Sequence, residues 1–172
     1  MTDPTQNALE PEAMTETKGS SRTFLCVVDQ SDEMEKALRF ACRRAKSTDG
    51  RVALLSVIEP SDFQHWMFVG DLMREEARLE AEEMIRVLSG VVQRRHGGKM
   101  PVVHIREGRM KDALMDVIKE EDISVLVLAA SSDGKEGPGP LVSAMLKSAG
   151  QFPIPVTIIP GAMSDEEIDA VS

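Results

Sequence analysis

The chain has 172 residues, with 29 acidic against 20 basic side chains and a formal net charge of −9. That balance argues against a nucleic-acid binder, which needs a cationic stripe to displace counterions from phosphate, and the length suits one domain with a sizeable core rather than two. No window approaches the roughly 20 uncharged apolar residues of a bilayer span, and the polar N-terminus lacks the basic start and apolar middle of a signal peptide, so a cytoplasmic protein with no membrane partner is expected.

Residues 1–22 mix Thr, Ser, Pro, Asn, Gln and Glu without apolar periodicity and read as a disordered arm of net charge −2. Phe24 to Val28 is an apolar run of five, suited to a central strand buried on both faces, and Asp29 ends it. Met34, Ala37, Leu38, Ala41, Cys42 and Ala45 then fall on one helical face. Asp32 and Glu35 stand in capping-box spacing at its start, and Asp49-Gly50 offers the stop. Val52 to Ile58 is a second strand, closed by Glu59-Pro60. Residues 62–68, Asp62-Phe63-Gln64-His65-Trp66-Met67-Phe68, gather three of the six aromatics and read as local packing, with a lid or a partner surface as alternatives. A helix of about six turns follows, with Ala77, Ala81, Met84, Ile85, Leu88 and Val92 on one side and Glu82 to Arg86 in the favourable i,i+4 order on the other.

Gly97-Gly98 ends that helix, and Val102 to Ile105 is a third strand before Glu107-Gly108. Met110, Ala113, Leu114, Val117 and Ile118 give another helical stripe, and Val125 to Leu128 a fourth strand. Leu141 to Ala149 predicts a short helix with Pro140 in its first turn and Gly150 at its end. Val156 to Ile159 is the fifth strand, between Pro155 and Pro160. Strands alternating with amphipathic helices imply an α/β fold: a doubly wound three-layer sandwich around a five-stranded, mainly parallel sheet. This domain spans 23–161 with a net charge of −3, and an acidic C-terminal tail, 162–172, carries −4.

Ligands of such a sheet bind beyond the carboxyl ends of the strands, where the winding reverses. Asp29, Gln30 and Ser31, Glu59, and Ala129 to Ser132 occupy those ends. Asp29 suits either an amide or exocyclic amine of a ligand, or a capping role. The loop from Ser131 to Pro140 offers an anion its hydroxyls, Lys135, and the backbone of Gly134, Gly137 and Gly139. Pro138 and Pro140 remove two N–H donors, which favours a rigid turn. The strand ends lack the clustered acids of a phosphoacceptor, and there is no Walker sequence, GxGxxG or GxSxG. His65, His96 and His104 have no metal-ligand spacing, and His104 reads as a satisfied core or face residue. Cys26 and Cys42 read as reduced, buried thiols. No catalytic residue emerges.

Leu25-Cys26-Val27-Val28-Asp29-Gln30-Ser31, Ala37-Leu38-Arg39-Phe40-Ala41 and Leu54-Leu55-Ser56-Val57-Ile58-Glu59-Pro60 together resemble the opening of the universal stress protein (UspA-like) family. Glu107-Gly108, Val125 to Leu128 and Pro155-Val156-Thr157-Ile158-Ile159 continue the resemblance across residues 23–160. It implies an adenine nucleotide alpha hydrolase-like fold and, in nucleotide-binding members, a G-x2-G-x9-G-[ST] motif after the fourth strand. The matching positions here are Ala129, Ser132, Val142 and Ser143, so the spacing is kept and all three glycines are replaced. By resemblance Asp29 and Val57 match the adenine side, while Ala129, Ser132 and Ser143 match the phosphate side. The family's dimer, formed through its fifth strands, maps to Val156, Thr157, Ile158 and Ile159.

These readings lead to a stress-response protein that acts by binding or interaction, as a homodimer or with a protein partner, without strong ATP binding. A Cβ at the glycine positions obstructs the close approach of backbone to phosphate. The alternative is an adenine-nucleotide-binding switch, holding ATP or AMP through the Ser131 to Gly139 loop, with slow hydrolysis or autophosphorylation. A small-molecule enzyme using the same crevice is a third class.

Overall fold

The structure, a computed structural model, describes residues 21–60, 67–133 and 137–172. The fold is laid around β1 (Thr23–Val27), whose five residues are all buried. With no polar side to offer water, this strand needs a layer on each face. Phe24, Cys26 and Val28 pack into one layer, Leu25 and Val27 into the other. β2 (Arg51–Ile58), β3 (Val102–Glu107), β4 (Val125–Ala130) and β5 (Val156–Pro160) complete a sheet of order β3-β2-β1-β4-β5, every pairing parallel.

Right-handed crossovers account for that order. The chain steps from β1 to β2 to β3 with α1 (Met34–Ser47) and α2 (Met67–Arg95) on one face. It then crosses to the far side of β1 for β4 and β5, with α3 (Met110–Glu120) and α4 (Pro140–Lys147) on the other. The stops of α1 and α2 fall at the expected glycines, whereas α4 ends at Lys147 with Ser148 as its C-cap and Gly150 lies in a following 3-10 turn, Ala149–Gln151. Asp49 takes φ 49° after α1 and the Gly50 N–H closes on the Ala45 carbonyl at 2.7 Å, while Gly97 takes φ 64° beyond α2.

Three local expectations fail. The Asp32–Glu35 capping box does not form: Glu33 is the N-cap of α1, and its side chain makes no cap bond because it is engaged elsewhere. α2 has 29 residues, about eight turns at roughly 3.6 residues each, rather than six. Its first half is largely exposed, Leu72 and Leu79 included, and Arg74 and Arg78 there reach Glu107 at the end of β3. Glu82 pairs with Arg78 at 3.2 Å, and Arg86 turns to Glu83, which takes two of its N–H groups. Of the aromatic segment, 62–66 lie outside the described residues and Met67 and Phe68 open α2. Residues 1–20 of the expected arm also lie outside them.

The acidic stretch at the C-terminus is structured. Asp165–Val171 forms α5, started by a complete capping box between Ser164 and Glu167. Ile168 is fully buried against the α1 face of the core. Its acids meet the basic side of α1: Arg39 binds Asp169 at 2.6 Å and Asp165 at 2.8 Å, and Arg43 lies 3.3 Å from Asp169. Two of the four acids of the expected acidic tail, Asp165 and Asp169, are therefore paired with α1. We expect Ile168→Ala to destabilise the protein by about 2–4 kcal/mol through the cavity it leaves, measured by urea unfolding, with amide exchange accelerated in α5 first.

Among the described residues, two histidines are buried. His104 on β3 leaves its Nε2 without a partner, contrary to expectation, and neither ring nitrogen of His96 reaches full hydrogen-bond geometry although the Ala45 backbone lies beside it. Burial holds both rings below the ordinary value of 6.5. The unfolded chain therefore takes up protons first as pH falls, so their contribution to stability is complete above pH 6.5 and is lost as pH drops below it. The melting temperature should fall between pH 7.5 and 5.5, and His104→Gln should flatten that slope in calorimetric scans.

Candidate functional site

β1 and β4 pair only from Phe24–Val125 to Cys26–Val127. Beyond that point β1 turns toward β2, where the Val28 N–H bonds the Leu55 carbonyl at 2.7 Å, and β4 stays with β5 as far as Ala130–Pro160. The separation opens a crevice of about 250 Å³ at the carboxyl ends, where the winding reverses. Val27, Met34, Ala37, Val127, Leu128 and Leu141 form its apolar walls. Asp29, Ser31, Glu33 and Ser131 supply the polar rim, and no Lys or Arg lines it among the described residues.

Asp29 Oδ1 accepts from the Ser31 N–H at 2.9 Å and from the Ser31 hydroxyl at 2.5 Å. This Asx-turn leads the chain from β1 into α1, so the capping alternative is realised in a turn rather than at the helix N-cap. Oδ2 has no hydrogen-bond partner among the described residues. Glu59, the acid after β2, is used structurally: its Oε1 accepts from the Met110 N–H at 2.9 Å and caps α3, whose own N-cap Arg109 provides no side-chain bond.

The loop after β4 is closed upon itself. The Ser131 N–H bonds the Pro138 carbonyl at 3.1 Å, the Asp133 N–H bonds Ser131 Oγ at 3.2 Å, and the Ser132 N–H bonds Glu33 Oε1 at 3.1 Å. Ser132 Oγ at 3.3 Å and Ser131 Oγ at 3.4 Å converge on that same oxygen. These donors, led by the Ser132 amide, hold the Glu33 carboxyl below its usual range. One turn along α1, Lys36 Nζ donates to the carbonyls of Gly161 and Met163. Gly161 is needed between them, since a Cβ there would stand 2.5 Å from the Ala130 carbonyl oxygen and 2.9 Å from the Ser132 nitrogen.

Of the positions matched by sequence, Asp29 and Ala129 line the crevice and Ser132 adjoins it through Glu33. Val57 is half-buried in the core on the α3 and α4 face, and Ser143 sits in the first turn of α4, its N–H on the Gly139 carbonyl; neither lines the crevice. Of the anion loop, Ser131, Gly137 and Gly139 line it, whereas Gly134 and Lys135 fall outside the described residues. Sequence reading missed Glu33, Lys36 and Gly161. Glu33 has two acidic neighbours within two positions, and nothing local separates the one that reaches across the fold.

The Cys42 thiol is pushed up to about 11 by burial and that of Cys26 further still, so neither supplies a thiolate nucleophile. Among the described residues no cluster of three or more His, Cys, Asp or Glu is placed to hold a metal, and no helix is long and apolar enough to cross a membrane.

Comparison with protein families matches residues 20–160 to the universal stress protein family. Curated proteins gave no match. Among solved structures, the chain is similar to the universal stress protein UspA from Lactobacillus plantarum, with 21% identity, 80% of this chain and 97% of that one covered, and a TM-score of 0.68. A protein of the family from Burkholderia pseudomallei aligns at 18% identity and TM-score 0.63, over 80% and 95% of the two chains. The universal stress protein from Archaeoglobus fulgidus, solved in complex with dAMP, aligns at 19% identity and TM-score 0.57, over 81% and 98%.

Gly161→Ala tests how tightly the crevice floor is built. Its Cβ has backbone on two sides and cannot be accommodated by a side-chain rotation. We expect a loss of about 1–3 kcal/mol from overpacking by denaturant unfolding, together with faster exchange of the Ser132 amide.

Proposed function

The chain belongs to the universal stress protein family, and we propose that it serves a stress response by binding or interaction, as a cytoplasmic homodimer, without turnover and without strong ATP binding. The observation that carries this reading is the state of the three N–H groups that follow β4. Phosphate held at such a loop depends on free backbone donors. Here those of Ser131, Ser132 and Asp133 are all bonded within the chain. Ala129, Ser132 and Val142 add side chains where the nucleotide-binding motif has glycine, and the crevice rim is acidic.

Support for pairing comes from β5. It hydrogen-bonds β4 on one edge and has no strand on the other among the described residues. Val156, Thr157 and Ile158 are only half-buried, and an uncovered apolar edge strand favours association. For a small-molecule enzyme in the same crevice the titratable groups on the rim are Asp29 and Glu33, and both already hold donors of the chain itself.

An adenine-nucleotide switch, with slow hydrolysis or autophosphorylation, is the second reading. It is favoured by an open crevice at the switch point, lined by Gly137 and Gly139 at φ 74° and 94°, and by the dAMP bound to the Archaeoglobus fulgidus protein. Titrating ATP into the purified full chain by calorimetry, with native mass spectrometry alongside, separates the two. We expect a dimer of twice 18.9 kDa and no binding at micromolar ATP. A micromolar dissociation constant would establish the switch instead.

A further inference from the structure

Glu33 departs from the habit of its position. As N-cap of α1 it stands where an acid normally serves its own helix, yet it makes no side-chain cap bond there. Its Oε1 is instead directed 99 residues along the chain, to the Ser132 N–H and Oγ, with the Ser131 hydroxyl alongside. One anionic oxygen drawing a backbone amide and two hydroxyls is the pattern in which a loop receives a phosphoryl oxygen. The surroundings keep it in place: Gly161 lets the chain after β5 pass against both the Glu33 Cγ and the Ser132 nitrogen, and Lys36 ties that segment to the same turn of α1.

We propose that Glu33 is the resident anion of this crevice, a carboxylate that fills the place of a ligand's phosphoryl group and selects uncharged or cationic nucleoside-sized ligands against phosphorylated ones. The inference rests on the preceding reading of the crevice as the ligand site and adds the residue that sets its specificity. A phosphorylated ligand must first break the contacts of Glu33 and then lie beside its charge, with Asp29 also on the rim. An uncharged ligand leaves those contacts intact and uses the apolar walls and the Asp29 Oδ2.

The test uses the full chain labelled with ¹⁵N, inorganic pyrophosphate as the probe, and the amides of Ser131, Ser132 and Asp133 as reporters. In the wild type these resonances should hold still at millimolar probe. In Glu33→Gln and Glu33→Ala they should move saturably, with apparent affinity raised about tenfold or more by removal of the charge. Equal responses in wild type and variants overturn the inference, as do folded variants whose amides do not respond. Glu33→Gln keeps an acceptor oxygen and decides the matter alone if Glu33→Ala does not fold. Adenosine and AMP compared by calorimetry give the ligand class: wild-type protein that prefers AMP also overturns the proposal. ATP affinity of the wild type judges the preceding proposal separately, because this one is judged by the ratio of variant to wild type and by the preference between adenosine and AMP.

Discussion

The constraint that organises this molecule is the burial of β1 on both faces. A strand with no polar side must be sandwiched, and in a parallel sheet the sandwich is made by right-handed crossover helices. Once α1 and α2 occupy one layer, β4 and β5 can join only on the opposite flank of β1, with α3 and α4 beneath them. Reversal of winding beside β1 is thus a consequence of how the core is covered. The crevice follows from the same cause, because two strands leaving their shared register in opposite directions cannot both close over the gap.

The first turn of α1 converts this topology into a defined site. Glu33 and Lys36 lie on neighbouring positions of that turn and carry opposite charge. The acid fastens the segment after β4 and the base fastens the segment after β5. Farther along the same helix, Arg39 and Arg43 receive α5. Exposed pairs of this kind contribute roughly 0–1 kcal/mol each, so the hold on α5 comes chiefly from the buried Ile168, and the ion pairs set its direction.

The layers, the strand order class and the position of the crevice were legible because they depend on short-range periodicity. Five apolar runs and their glycine stops carry that information, and each strand was located to within a residue or two at either end. Contacts between segments distant in sequence were not legible. The identity of Glu33 as the reaching acid depends on the path of a loop 99 residues away, while Asp32 and Glu35 offered a local capping pattern that the folded chain does not use. Of the positions matched to the family motif, Val57 and Ser143 lie outside the crevice lining. For α5 a local signal did exist. Ser164 and Glu167 have capping-box spacing ahead of Ile168, but a count of charge hides it, because four acids without a base read as solvated when their partners lie on another helix.

The bond between Glu33 and the β4 loop also bears on supply. A protein whose site is completed by a solute gains stability in proportion to the logarithm of that solute's concentration, and its folded population follows metabolic conditions. Here the anion is covalently attached to the chain, and an attached partner acts at an effective concentration that dilution does not alter. The backbone of Ser131, Ser132 and Asp133 keeps its hydrogen bonds within the chain whether or not any metabolite is abundant.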